Sequence, residues 1–251
     1  MKNIVLLVAC CLFASATQAS DLEKEQRWRD QVADSIMDGD EVDVSVDGRD
    51  VFGIYTEAAD ESKNGMIIVH GTGIHPNWEQ VVRPVRVRMT EYGWNTLSIQ
   101  MPILHNEAEY KDYVPLYPEV PPRFKAAEQF LLDQGMEKIV VVAHSQGATM
   151  SSYYLSRHPE SKVSEFVAIG MGATQKDSHL NSALALKKIN IPVLDLYGSN
   201  DLPRVMDTVD DRKRGATHNP HYRQKEIAGA NHFFDDMNDE LIAAIQGWLS
   251  R

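Results

Sequence analysis

Five short runs constrain this chain more than anything else in it. "MIIV" (66–69), "TLSI" (96–99), "IVVVA" (139–143), "FVAI" (166–169) and "VLDLY" (193–197) are mostly apolar throughout. They lack the alternation of a strand that shows one face to water, so both faces must be covered. Segments with helical spacing separate the runs. Trp78, Val81, Val82, Val85, Met89 and Tyr92 share one helix face, with Pro84 expected to kink that helix or mark its true start. Phe124, Ala127, Phe130 and Leu131 share another, and Leu241, Ile245, Trp248 and Leu249 fit a closing helix. Before all of these, "EVDVSV" and "DVFGIYTEA" alternate around Asp47-Gly48, the pattern of a β-hairpin. The expected class is therefore α/β: a mostly parallel central sheet, an antiparallel N-terminal hairpin and helices on both faces. Ligands on such sheets bind at the carboxyl ends of the strands.

The first residues read differently. MKNIVLLVACCLFASATQAS carries Lys2, an apolar run from Ile4 to Ala16 too short to span a bilayer, and small residues at Ala14, Ala16 and Ala19. This is the pattern of a secretory signal peptide over 1–19, cleaved after Ala16 or Ala19. Residues 20–251 are then expected as a single domain, with 20–40 as a peripheral helical segment, and the expected location is the periplasm. A rival route is lipoprotein processing, because Leu7-Val8-Ala9-Cys10 resembles a lipobox, but it leaves an h-region of only about six residues. Both cysteines, Cys10 and Cys11, lie in the removable segment. The processed chain then has no thiol, which excludes a cysteine nucleophile, a disulfide and a thiolate metal site. A net charge of −11 argues against nucleic acid and anionic membranes as partners.

Chemistry concentrates at a few strand ends. "VVVAHSQGATM" places Ser145 between a strand and a helix, with Ala143 two residues before and Gly147 two after. Small residues there let a tight turn lift the serine Oγ clear of the sheet; the plainer reading is a serine helix N-cap. A nucleophilic serine needs a base, and the base an orienting acid. Asp201 in "VLDLYGSNDLP" and His232 in "IAGANHFF" follow Ser145 in the order this architecture uses. Asp195 is a rival acid, but it lies mid-strand and reads as a buried carboxylate satisfied locally. Backbone N–H groups of Gln146 and of Thr72, in His70-Gly71-Thr72-Gly73, are expected to form the oxyanion hole.

Other polar features read more plainly. His70 with His75 and His218 with His221 lack carboxylates or thiolates at supporting spacing, so neither metal nor cofactor is expected. His144 reads as a packed core or turn residue. Arg212, Lys213, Arg214, Arg223 and Lys225 read as a solvated basic face. The stretch from Pro102 to Pro122, with five prolines and Tyr110, Tyr113 and Tyr117, is the one long irregular segment. Its tyrosines either line a substrate cleft or pack the segment onto the domain.

Taken together, "HGTG" after a strand, "AHSQGA" at the turn, "YGSND" after a later strand and "GANH" near the end resemble the α/β-hydrolase fold. The finer pattern ("HGTGIHPNW", "GWNTLSIQMP", "PVLDLYG", "YRQKEIAGANHFF" and a final "GWL") is similar to an exported α/β-hydrolase-like family of bacteria whose function is uncharacterised. The resemblance covers roughly residues 65 to 250. "GMGATQKDSHLNSALALKKINIP" holds one short helix, so no large lid domain is expected. The implied function is a serine hydrolase of carboxylesterase type, acting on a small-molecule acyl substrate through Ser145, Asp201 and His232. Thioesters and amides use the same constellation. The alternative class is a non-catalytic periplasmic binding or scaffold protein using the same cleft.

Overall fold

The computed structural model describes residues 20–251; the leader expected over 1–19, with Cys10 and Cys11, lies outside them. β1 (Asp40–Val46) and β2 (Arg49–Thr56) form the N-terminal hairpin, with Val46 opposite Arg49. Asp47 and Gly48 between them take φ of 49° and 79°. A two-residue turn with both φ positive matches the twist of the flanking strands, and Asp-Gly tolerates it at least cost.

The five apolar runs become β3 (Asn64–Val69), β4 (Asn95–Ile99), β5 (Lys138–His144), β6 (Val163–Ile169) and β7 (Val193–Asn200). β8 (Tyr222–Asn231) completes an eight-stranded sheet of order β1-β2-β4-β3-β5-β6-β7-β8. β2 meets β4 antiparallel, and every pairing beyond it is parallel. Successive strand residues point to opposite faces, and here each face meets helices. Ile67, Val69, Val141 and Ala143 pack with Phe124, Leu131, Ala148 and Tyr154 on one side. Met66, Ile68, Val140 and Val142 pack with Val82, Val85, Leu241 and Ile245 on the other. That double cover is why the runs do not alternate. β8 lies at the sheet edge and leaves half its residues exposed, so "YRQKEIAGAN" carries no continuous apolar signal.

α1 (Leu22–Ala33) is capped by the Asp21 carboxylate, which accepts from the Lys24 N–H. It is peripheral in position but firmly tied. Glu25 pairs with the buried Arg123, Lys24 Nζ donates to the Leu104 carbonyl, and Val32 packs against Phe52 and Ile54. α2 (Val82–Arg88) is shorter than the periodicity from Trp78 to Tyr92 suggests. Val81 has φ 61°, which breaks the chain direction before the helix, and Met89–Tyr92 tighten into a 3-10 turn after it. Pro84 sits in the first turn of α2, where a missing N–H leaves no hydrogen bond unmade.

The stretch 102–122 requires a correction. It is not irregular throughout: Tyr110–Glu119 is 3-10 helix and α3 (Val120–Asp133) follows directly, with Pro121 and Pro122 in its first turn. Prolines at 115 and 118 hide the helical period from a reading of apolar spacing. α4 (Gln146–Leu155), α5 (Ser182–Leu186), α6 (Pro203–Met206), α7 (Val209–Gly215) and α8 (Asn238–Leu249) complete the fold. As expected, α5 is the one short helix between β6 and β7. Among the described residues no helix is long and apolar enough to cross a membrane.

Candidate active site

Ser145, Asp201 and His232 each follow the last residue of a parallel strand (β5, β7 and β8), so the sheet delivers all three to one edge. Their side chains meet. His232 Nε2 lies 2.9 Å from Ser145 Oγ, and His232 Nδ1 lies 2.6 Å from Asp201 Oδ1. All three residues are buried. Burial acts to raise the Asp201 pKa. The hydrogen bond and charge of His232, with the N–H groups of Leu202 and Gly198, outweigh it and hold the carboxyl below the usual aspartate value.

The turn at Ser145 is strained. Its φ of 56° and ψ of −119° lie where side chains with a Cβ rarely go. Its backbone is held by its own N–H, which donates to the Ile169 carbonyl at 2.8 Å. Small neighbours make the turn feasible: a Cβ on Gly147 would stand 2.3 Å from the His70 carbonyl oxygen. Gly170, at φ 59°, lies so near His232 that a Cβ would stand 2.9 Å from the imidazole. The loop after β3 passes on another side of the serine, and a Cβ on Gly71 would come within 3.1 Å of Ser145 Cβ. Among the described residues, the N–H groups of Thr72 and Gln146 donate to no protein acceptor. Gln146 follows the serine directly, and Thr72 follows Gly71, which closes on it.

The other polar side chains singled out in the sequence lie elsewhere or make other contacts. Asp195 is fully buried and its Oδ2 accepts from Arg212, Tyr222 and Gln224, remote from His232. Arg212 corrects the basic-face reading: it is buried in an ion pair with Asp195, whereas Lys213, Arg214, Arg223 and Lys225 are exposed. His75 packs between Trp28 and Trp78, and His218 and His221 lie exposed on the surface. Among the described residues no cluster of three or more histidine, cysteine or carboxylate side chains could hold a metal ion. Of the tyrosines, Tyr113 and Tyr117 are buried in the core, and Tyr110 lines a cavity of about 1010 Å³ beside the site.

Two histidines frame the site without taking part in the hydrogen-bond chain. His70 Nδ1 donates to the Gly71 carbonyl while its Nε2 accepts from the Met101 N–H, and His144 Nε2 donates to the His232 carbonyl. Burial lowers the pKa of each to about 3, aided at His144 by the neighbouring His232. An unfolded imidazole takes its proton near pH 6.5, so below that value the unfolded state binds protons the folded state refuses. Stability should fall as the pH drops from about 6.5 towards 3. Each histidine is expected to remove about 2 kcal/mol between roughly pH 7.5 and 5, read from urea unfolding midpoints. A midpoint constant across that range would contradict the buried neutral imidazoles.

One residue escaped the sequence reading. Arg204, three positions after Asp201, is turned back over the site by α6, and its Nη2 lies 3.2 Å from Ser145 Oγ and 3.3 Å from His232 Nε2. Its guanidinium carbon lies 4.9 Å from the centre of the Tyr110 ring, and both residues line the cavity. The cation in "SNDLPR" was a usable signal only once the acid loop was known to reach the serine.

Solved structures share this architecture. Est1E from Butyrivibrio proteoclasticus superposes with a TM-score of 0.64 at 15% identity, over 83% of this chain and 97% of that one. An esterase of Pyrococcus furiosus gives 0.66 at 18%, over 84% and 91%. An alpha-beta serine hydrolase homologue from Coxiella burnetii gives 0.65 at 18%, over 84% and 98%. At such identities the likeness establishes the fold, and the chain has the α/β-hydrolase fold. No curated protein matches it in sequence. The family model described as "Protein of unknown function (DUF3530)" matches residues 14–121 and 105–251, and the chain belongs to that family.

Proposed function

We propose that this protein is a serine hydrolase that cleaves acyl esters through an acyl-enzyme intermediate. The observation that carries this reading is the unbroken chain from Ser145 Oγ through His232 to Asp201, at 2.9 and 2.6 Å, on a strained turn. A buried serine serving only as a helix cap would need neither the strain nor the imidazole; Ser145 makes no side-chain cap bond to α4. The Pyrococcus furiosus esterase among the structural neighbours is consistent with it.

In this mechanism Asp201 holds the Nδ1–H tautomer of His232, which leaves Nε2 free to accept the Ser145 proton as Oγ attacks the ester carbonyl. The N–H groups of Thr72 and Gln146 receive the negative charge that develops on the carbonyl oxygen. The tetrahedral adduct expels the alcohol oxygen, which takes the proton from Nε2. Water then enters, gives its proton to Nε2 and attacks the acyl group, releasing the acid and restoring Ser145 Oγ–H. The leader read over 1–19 would place this activity outside the cytoplasm, carried by residues 20–251 as one domain.

A series of p-nitrophenyl esters of increasing acyl length tests the proposal on purified protein. Turnover of the shorter esters, unchanged by a chelator, is expected. Activity lost to a chelator and restored by a divalent ion would instead make a metal ion part of the chemistry and contradict the proposal.

A further inference from the structure

Arg204 is placed against the site in a way the fold does not require. The other interior arginines are matched by local partners. Arg123 pairs with Glu25 and Glu119, Arg212 pairs with Asp195, and Arg86 donates to oxygens of Asp38, Thr56 and Asn77. Arg204 has no carboxylate at ion-pair distance among the described residues; its side-chain contacts are Ser145 Oγ, His232 Nε2 and the Tyr110 ring. Acids on the wall of the adjoining cavity have partners of their own: Glu109 with Lys111, Asp177 with His179, Asp211 with Arg214, and Asp112, which accepts from the Glu109 N–H. Asp207 stands exposed on the same wall. Asp201, whose charge favours the guanidinium, bonds the other ring nitrogen of His232 and does not pair with Arg204 directly. A half-buried cation with no direct partner is costly to keep, and a guanidinium does not shed its proton at working pH.

Its position also says where the counter-charge belongs. His232 Nε2 has one lone pair, which must accept from Ser145 for the reaction to start. Arg204 Nη2, within reach of both Oγ and Nε2, stands where a leaving-group oxygen must stand to collect the proton from His232. Substrate therefore displaces Nη2, and the guanidinium is left beside the leaving group, with the cavity beyond it. We propose that Arg204 is a specificity-determining residue that binds a carboxylate carried on the leaving group, so that the preferred substrates are acyl esters of hydroxy acids. This rests on the serine-hydrolase reading above. The planar fork of an arginine suits a carboxylate, which it can hold with two parallel hydrogen bonds.

The test compares matched esters on the purified full chain. 3-Acetoxybenzoate and its methyl ester differ by a charge on the leaving group; monophenyl succinate and its methyl ester differ by a charge on the acyl side. Wild type should favour 3-acetoxybenzoate over its neutral partner by about 10- to 100-fold in kcat/KM, the range of a charge-assisted contact. Arg204→Gln should bring that ratio close to one, and Arg204→Lys should restore part of it. Because Arg204 touches Ser145 and His232, its variants shift the neutral rate as well, and the ratio is the readout. A ratio near one in wild type, or one preserved in Arg204→Gln, overturns the proposal. An Arg204-dependent preference confined to the succinate pair overturns the placement on the leaving group. Calorimetry separates this outcome from failure of the hydrolase reading. 3-Hydroxybenzoate should bind Ser145→Ala about tenfold more tightly than Ser145→Ala/Arg204→Gln. If no ester is cleaved but this difference persists, the hydrolase reading falls and the arginine assignment stands. Equal binding by the two variants overturns the arginine assignment.

Discussion

Replacing Ser145 with alanine is expected to lower kcat for ester hydrolysis about a million-fold and to leave the melting temperature nearly unchanged. The loss follows from the single bond Ser145 makes to the base: without Oγ, His232 Nε2 has no nucleophile to deprotonate. Binding and the Thr72 and Gln146 N–H groups would survive, which sets the residual rate. Stability should hold because the strain at φ 56° belongs to the backbone, and alanine carries the same Cβ into it. The Ser145 N–H to Ile169 bond is also untouched. Activity within tenfold of wild type in a folded Ser145→Ala protein would place the nucleophile elsewhere.

The two aspartates of β7 and its following loop should separate just as sharply. Asp201→Asn presents an amide to His232 Nδ1, favours the tautomer with the proton on Nε2, and should cost about 10⁴-fold in kcat. Its effect on melting should be small beside that. Asp195→Asn should do the reverse. It removes the counter-charge of Arg212, which is fully buried, and breaking such a pair from one side costs about 3–5 kcal/mol. Tyr222 donates to the same oxygen, so the disturbance reaches β8 as well. Steady-state rates and melting temperatures of the two variants decide the matter. Exchanged phenotypes would mean that the acid had been assigned to the wrong carboxylate.

How much of this was legible in the sequence depended on whether the signal was local. The apolar runs marked five strands because each strand is covered on both faces, and Ser145 and Asp201 could be placed from the ends of two of them; His232 follows the partly exposed edge strand β8. Gln146 followed from the end of β5 and Thr72 from the end of β3. Arg212 was misread because its partner Asp195 lies on a different element, and nothing in "DDRKRG" reports a carboxylate brought there by the sheet. The 3-10 helix over Tyr110–Glu119 was missed because two prolines interrupt its pattern. Arg204 was missed for a related reason. α6 is four residues long, too short to show a period, and the direction in which it turns its side chain is set by tertiary packing.

Activation of Ser145 by His232 is open to a fluorophosphonate probe. The probe reacts covalently with an activated serine and leaves an inert hydroxyl alone. Mass spectrometry of the labelled full chain should find one adduct, on the peptide containing Ser145, and His232→Ala should abolish it. A folded protein that takes up no probe, or takes it up at another residue, would show that Ser145 is not the activated nucleophile.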